Sequence, residues 1–261
     1  FNKNESRKLQ IGIAEAGKVP NMKRYKIILE TTNNVTNTIL KFRTPPWEHY
    51  AAVARDFGYT VNEQQVKTQM FGSFKSIDKQ HPNYGRNSIT WVEWWRRIVK
   101  GSFSGLLPST ADIDGIADRL IEEYKTTKCW VRAEGGEKLL NILREKNVTV
   151  GIISNYDSRL KELLHNVSFG KHFDFVITSY DVGVSKPDKQ IFSHAMSQHK
   201  SLVSPAECLH IGDDLKKDYE GAKAAGWHAV ECVKLDRIFN IIRIHFFSSL
   251  YSFVFVCPSA R

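Results

Sequence analysis

From Val148 onward the chain repeats one unit, a short apolar run followed by a segment with helical spacing. The runs are VTVGIIS before SRLKELLHNV, FDFVITS before DKQIFSHAMSQH, ECLHIGD before LKKDYEGAKAAG, and a last run, HAVECV. Strands separated by helices cannot pair through tight hairpins, so each crosses over to a parallel neighbour and the repeat builds βαβ units. The fold class is α/β, with a doubly wound parallel sheet. Open sheets of this kind bind ligands outside the carboxyl ends of their strands, which makes the residues after each run the ones to search.

One further strand, YKIIL, precedes this region, and its sheet neighbours are expected among the later strands. The polar stretch ETTNNVTNT and then ILKFR follow it. Residues 42–130 differ in kind. WEHYAAVARDFG, NEQQVKTQMFGSF, WVEWWRRIVKGSF and IDGIADRLIEEYK each place apolar residues at helical intervals with no β punctuation. Pro108 is read as a stop between the last two helices, and Ser109–Thr110 as the N-cap of the second. The simplest description is a helical insertion within an α/β domain. Trp91, Trp94 and Trp95 fall at i, i+3, i+4 and are expected in the core of that bundle rather than in a ligand stack.

With 261 residues, 42% of them hydrophobic and 25% charged, the chain can bury a sizeable core, which excludes a disordered or fibrous protein. The net charge of +9 would invite a polyanionic partner, yet the excess lies in residues 1–24 and 232–261, and the span between is nearly balanced. No nucleic-acid partner is expected. Four cysteines without CxxC spacing suggest neither a zinc site nor a disulfide framework, so an intracellular location, cytoplasmic or nuclear, is expected. The apolar run Phe246–Ala260 is shorter than the ~20 residues a membrane helix needs, and no membrane association is expected. Met22 is read as the start of the protein proper.

Three strand ends deliver groups that can work together. Ser154 and Asn155 follow VGII, Lys186 lies in VSKPD, and GDDLKKD carries Asp213, Asp214 and Asp218. A hydroxyl and a lysine suit a phosphoryl group, and carboxylates suit a hard divalent cation. No glycine-rich nucleotide loop and no G-x-S-x-G elbow occurs. His210, inside the third run, is read as a packing residue.

In this order and spacing the groups resemble the haloacid dehalogenase superfamily of phosphohydrolases. HPNYG, ISNYDSRL, KHFDFVITS, SKPDKQIF and HIGDDLKKDYEGAKAAG together are similar to the haloacid dehalogenase-like hydrolase domain-containing protein 3 family. The resemblance implies a Rossmann-like core over 23–41 and 131–233, a helical cap over 42–130, an N-terminal extension over 1–22 and an apolar tail over 234–261 outside the core. It implies a small phosphorylated substrate and Mg²⁺ held partly by Asp213, with Asp218 or, less readily, Asp214 in support. Ser154 and Asn155 would bind phosphate, and Lys186 would neutralise it.

The same resemblance exposes a departure. The family's first motif ends a strand with two aspartates, the nucleophile and the acid/base, where this chain has Asn34 and Thr36. A neutral carboxamide is no comparable nucleophile and a weak cation ligand. Three expectations follow: a phosphohydrolase scaffold with impaired catalysis (a pseudoenzyme), an active magnesium-dependent phosphatase if position 34 is misread, or an interaction module that uses the cap.

Overall fold

The computed structural model describes residues 26–29, 39–198 and 202–231. Five strands, β1 (Lys26–Leu29), β4 (Val150–Ser154), β5 (Phe175–Thr178), β6 (Cys208–Gly212) and β7 (His228–Glu231), form a parallel sheet in the order β5-β4-β1-β6-β7. As expected, β1 lies among the later strands, with Ile28 opposite Gly151 of β4 and His210 of β6. The chain order reverses direction across β1, which puts the topological switch point beside it.

β4 is buried along its whole length, as a central parallel strand covered on both faces must be. Its residues divide between two cores. Ile152 packs with Leu139, Leu143, Leu160 and Phe169 on one face, and Ile153 with Ile191, Phe192 and Trp227 on the other. The first face is covered by α5 (Gly136–Glu145) and α6 (Leu160–Asn166), the second by α8 (Lys189–Ser197); α7 is the single turn Ser179–Val182.

Between β2 (Leu40–Phe42) and β3 (Trp130–Arg132), which pair antiparallel, lie α1 (Pro46–Asp56), α2 (Glu63–Gln80), α3 (Trp91–Ser102) and α4 (Ile113–Glu123). Their apolar faces meet in a separate cluster that includes Tyr50, Val66, Val99, Ile116 and Leu120. Asn62 caps α2 through Gln64 N, and Thr90 caps α3 through Glu93 N. The cap of α4 is not Ser109 or Thr110 but Asp112, whose Oδ1 accepts Gly115 N at 2.8 Å. A carboxylate at this position also answers the positive end of the helix, and Ser109–Thr110 form a turn before it.

The Trp cluster divides in its roles. Trp94 is fully buried with Tyr84 and Ile98, whereas Trp91 and Trp95 are partly buried beside them, and Trp95 also reaches the α/β part of the molecule.

Candidate active site

Ser154, Lys186 and the Gly212–Asp218 turn all lie at the carboxyl ends of β4, β5 and β6 or in the loops that leave them. Lys186 is almost wholly buried. Its Nζ donates to Ile153 O at 3.0 Å and stands 3.0 Å from Asp218 Oδ1. Asn155 fixes the Lys186 backbone from both sides: Lys186 N donates to Asn155 Oδ1 at 2.8 Å, and Asn155 Nδ2 donates to Lys186 O at 3.0 Å. This reciprocal pair ties the end of β4 to the loop after β5. Ser154 itself is fully buried at the last position of β4.

Asp218 reaches Lys186 because the segment after β6 does not begin as an α-helix. Leu215–Glu220 is a π turn, followed by the short α9 (Gly221–Ala224), in place of the single helix suggested by LKKDYEGAKAAG. Widened turns of this type occur frequently at functional sites. Asp214 caps it, accepting Lys216 N at 3.0 Å and Lys217 N at 2.8 Å, while its own N–H donates to Asp218 Oδ2 at 2.9 Å. Gly212 permits the approach, since a Cβ there would lie 2.4 Å from the Asp218 carboxyl carbon.

Burial dominates the electrostatics. It pushes Asp218 up to about 7, against the backbone hydrogen bonds of Asp214 and Asp213 that favour the anion. The same burial drives Lys186 well below the usual lysine range, with Asp213 pulling the other way. Burial thus works against the charged form of both members of a pair that stand 3.0 Å apart. His210 Nε2 lies 3.2 Å from Asp218 Oδ1, and burial plus Lys186 keep its imidazole neutral near pH 7. A residue read as packing is thus in contact with a site carboxylate, a role that its apolar sequence neighbours conceal.

Burial also raises Glu231, at the end of β7, and Asp213 and Asp214 add to the effect. Asp213 and Asp214 thus act on Glu231 as like charges, and carboxylate oxygens are donors of the type a hard divalent cation takes. Among the described residues no group of three His, Cys, Asp or Glu side chains surrounds one point. Asn34 and Thr36 lie outside the described residues.

The helical part contacts this site through the HPNYG segment. Asn83 and Tyr84 adopt the left-handed conformation at φ 50° and 57°, followed by Gly85 at 77°. Such conformations are rare for residues with side chains and persist where contacts over-determine them. Here Asn83 Nδ2 donates to Ser179 O at 2.8 Å and Tyr84 OH to Asn155 O at 2.7 Å. A second connection was not anticipated from the sequence. Asp157 and Arg159, both buried, form a forked pair at 2.7–2.9 Å, and Trp95 Nε1 donates to Asp157 at 2.7 Å. The D-x-R spacing just after ISNY is the only sequence signal for it.

Residues 27–226 match the family described as haloacid dehalogenase-like hydrolase. The chain is 35% identical over 250 residues to the rhythmically expressed gene 2 protein of Drosophila melanogaster, a match covering 89% of this chain and 95% of the relative. It is 34% identical to the haloacid dehalogenase-like hydrolase domain-containing protein 3 of Mus musculus, over 76% of this chain and 79% of that one. Among solved structures it resembles the HAD-type YfnB protein of Bacillus subtilis bound to magnesium, with a TM-score of 0.57 and 21% identity over 84% of this chain and 99% of that one. It also resembles a HAD phosphatase from Thermococcus onnurineus, with a TM-score of 0.55 and 20% identity over 84% and 97%. No helix among the described residues is long and apolar enough to cross a membrane.

Proposed function

The chain belongs to the haloacid dehalogenase-like hydrolase family, and from that premise we propose that it is a phosphate- and metal-site scaffold of the phosphatase type whose turnover is impaired at Asn34. The observation that carries the reading is buried Lys186, held between Ile153 O and Asp218 at the strand ends. A lysine fixed in this way supports a cationic contact without having to be ordered when ligand arrives.

On this reading the Ser154 hydroxyl, the Asn155 side chain and Lys186 receive the phosphoryl oxygens of a small phosphorylated molecule. Asp213 would hold Mg²⁺, with Asp218 or Asp214 in support. When bound, the cation would neutralise phosphoryl charge. Asn34 stands at the nucleophile position and Thr36 at the acid/base position. A carboxylate attacks phosphorus and leaves an acyl phosphate, whereas the carboxamide of Asn34 carries no charge and no lone pair of comparable reactivity. Binding is retained and chemistry is lost.

The test uses the purified full chain with Mg²⁺ and inorganic phosphate, followed by calorimetry, and with p-nitrophenyl phosphate, followed by product release. Phosphate binding without a phosphoenzyme is expected. Asn34→Asp should raise turnover by at least about a hundredfold, on the scale of a restored nucleophile. Robust turnover by the unaltered chain that Lys186→Ala or Ser154→Ala abolishes would overturn the impaired reading in favour of an active phosphatase.

A further inference from the structure

β7 ends at the same edge of the sheet as the Lys186 site, and its last residue, Glu231, is the register partner of Gly212 at the end of β6. In-register residues of neighbouring parallel strands sit about 4.8 Å apart and direct their side chains to the same face. β6 identifies that face. His210, two residues before Gly212, reaches Asp218 Oδ1 at 3.2 Å, and a Cβ on Gly212 would lie 2.4 Å from the Asp218 carboxyl carbon. Glu231 therefore stands on the face that holds Asp218, beside the π turn against which β7 packs.

The carboxylates gathered here differ in how they are answered. Asp218 faces Lys186 Nζ at 3.0 Å, and Asp214 faces Lys217 Nζ at 3.3 Å besides two backbone amides. Glu231 is only 8% exposed and has no hydrogen bond or ion pair among the described residues. A buried carboxylate in this state is relieved by a proton or by a cation. Asp213 and Asp214 act on it as like charges, which favours a divalent cation, because one such ion answers several carboxylates whereas a proton answers one.

The cation need not touch Glu231. Mg²⁺ usually retains several waters and takes only one or two carboxylates directly. Since no three His, Cys, Asp or Glu side chains among the described residues surround one point, Glu231 is placed to act through the ion's water and through its charge. With Asn34 at the nucleophile position, the site also has one negative charge fewer than the family's pattern.

We infer that Glu231 is a positioning residue for the divalent cation, holding the ion's water beside Asp213 and supplying charge that Asn34 does not. This role rests on Asp213 holding the cation, as proposed above.

The test is a calorimetric titration of the full chain, freed of metal with EDTA, with Mg²⁺ near pH 7.5, together with the thermal midpoint in the presence and absence of Mg²⁺. Glu231→Gln removes the charge, keeps the shape and mimics the protonated carboxyl. It should weaken Mg²⁺ binding by about tenfold or more, the scale for groups that orient a metal's ligands, and shrink the rise in midpoint that Mg²⁺ produces. Glu220→Gln removes an equal charge from an exposed position of the same turn and should leave the affinity within about twofold. Unchanged affinity in Glu231→Gln while Asp213→Asn lowers it, or an equal loss in Glu220→Gln, would overturn the role of Glu231 and leave the metal-site reading standing. Absence of saturable Mg²⁺ binding by the unaltered chain would overturn both. The midpoint without metal shows whether each variant is folded. If the glutamine chain is not, Glu231→Asp carries the test, since it keeps the charge but draws it back by one methylene, and unchanged affinity there would likewise overturn the role.

Discussion

Lys186 Nζ stands 3.0 Å from Asp218 Oδ1 with both side chains withdrawn from solvent, so removing either leaves the other buried without its nearest opposite charge. Lys186→Met keeps the volume and removes the charge. Urea unfolding near pH 7.5 should show a loss of about 3–5 kcal/mol, the range for breaking one side of a buried pair. Burial already raises Asp218 to about 7, above its unfolded carboxylate range. Acid therefore neutralises the buried carboxylate that no longer faces an ammonium, and the loss should shrink as pH is lowered toward 5. The double change Lys186→Met with Asp218→Leu should recover most of the stability at either pH. A cost that is independent of pH and not relieved by the second substitution would show that the pair does not behave as one unit.

Gly212→Ala tests how Asp218 is placed. The added methyl would lie 2.4 Å from the carboxyl carbon, well inside van der Waals contact, so Asp218 must move away from Lys186 and His210. A stability loss of about 1–3 kcal/mol is expected, typical of overpacking in a dense site. The change should also weaken phosphate binding, because Lys186 loses the partner that fixes it. Normal phosphate affinity with normal stability would mean that the turn shifts as a whole.

Much of this was legible in the sequence, for reasons that differ by element. The parallel sheet was readable because VGIIS and CLHIG are buried along nearly their whole length and FVIT in its second half, so all three are rich in apolar residues, while amphipathic helices punctuate them. The gathering of Ser154, Asn155, Lys186 and the acidic turn was readable because strand ends in such sheets share one edge. The inward turn of Asp218 was not, since a π turn and an α-helix have the same composition and differ only in which carbonyl receives each amide. β3 and α5 were also not read. Trp130–Arg132 is too short to show a period, and its partner strand lies far away in the chain. Asp157 and Arg159 look like an ordinary polar loop until Trp91, Trp95 and Tyr156 close over them.

Tyr84→Phe tests the connection between the helical part and the loop after β4. It deletes the 2.7 Å hydrogen bond to Asn155 O and leaves the ring packed against Trp94. A loss of about 1 kcal/mol is expected in urea unfolding, as one partly buried carbonyl loses its donor. Because Asn155 also holds Lys186, phosphate affinity should fall with it. Restoring stability by another route, such as a surface helix substitution, should not restore that affinity.

Glu123, at the end of α4, offers a pH-dependent readout remote from the candidate active site. Lys128 Nζ approaches to 2.8 Å, Arg119 Nε to 3.0 Å and His49 Nε2 to 2.8 Å. Burial alone would push this carboxyl up, but hydrogen bonds and charge from Lys128 and Arg119 together outweigh it and hold the group below the usual glutamate range. A carboxyl whose folded-state pKa is depressed binds protons more weakly in the native state than in the unfolded one. Its stabilisation is therefore fully present above the unfolded value of about 4.3 and is lost as pH falls through the lower folded value. Glu123→Gln should cost about 1–2 kcal/mol at pH 7, allowing for the solvent that reaches Lys128 and Arg119. As pH is lowered below 4, the unaltered chain should lose stability faster than the glutamine variant, and their urea midpoints should converge. Parallel curves from pH 7 to pH 3 would show that the cations around Glu123 make no net contribution beyond their screening by water.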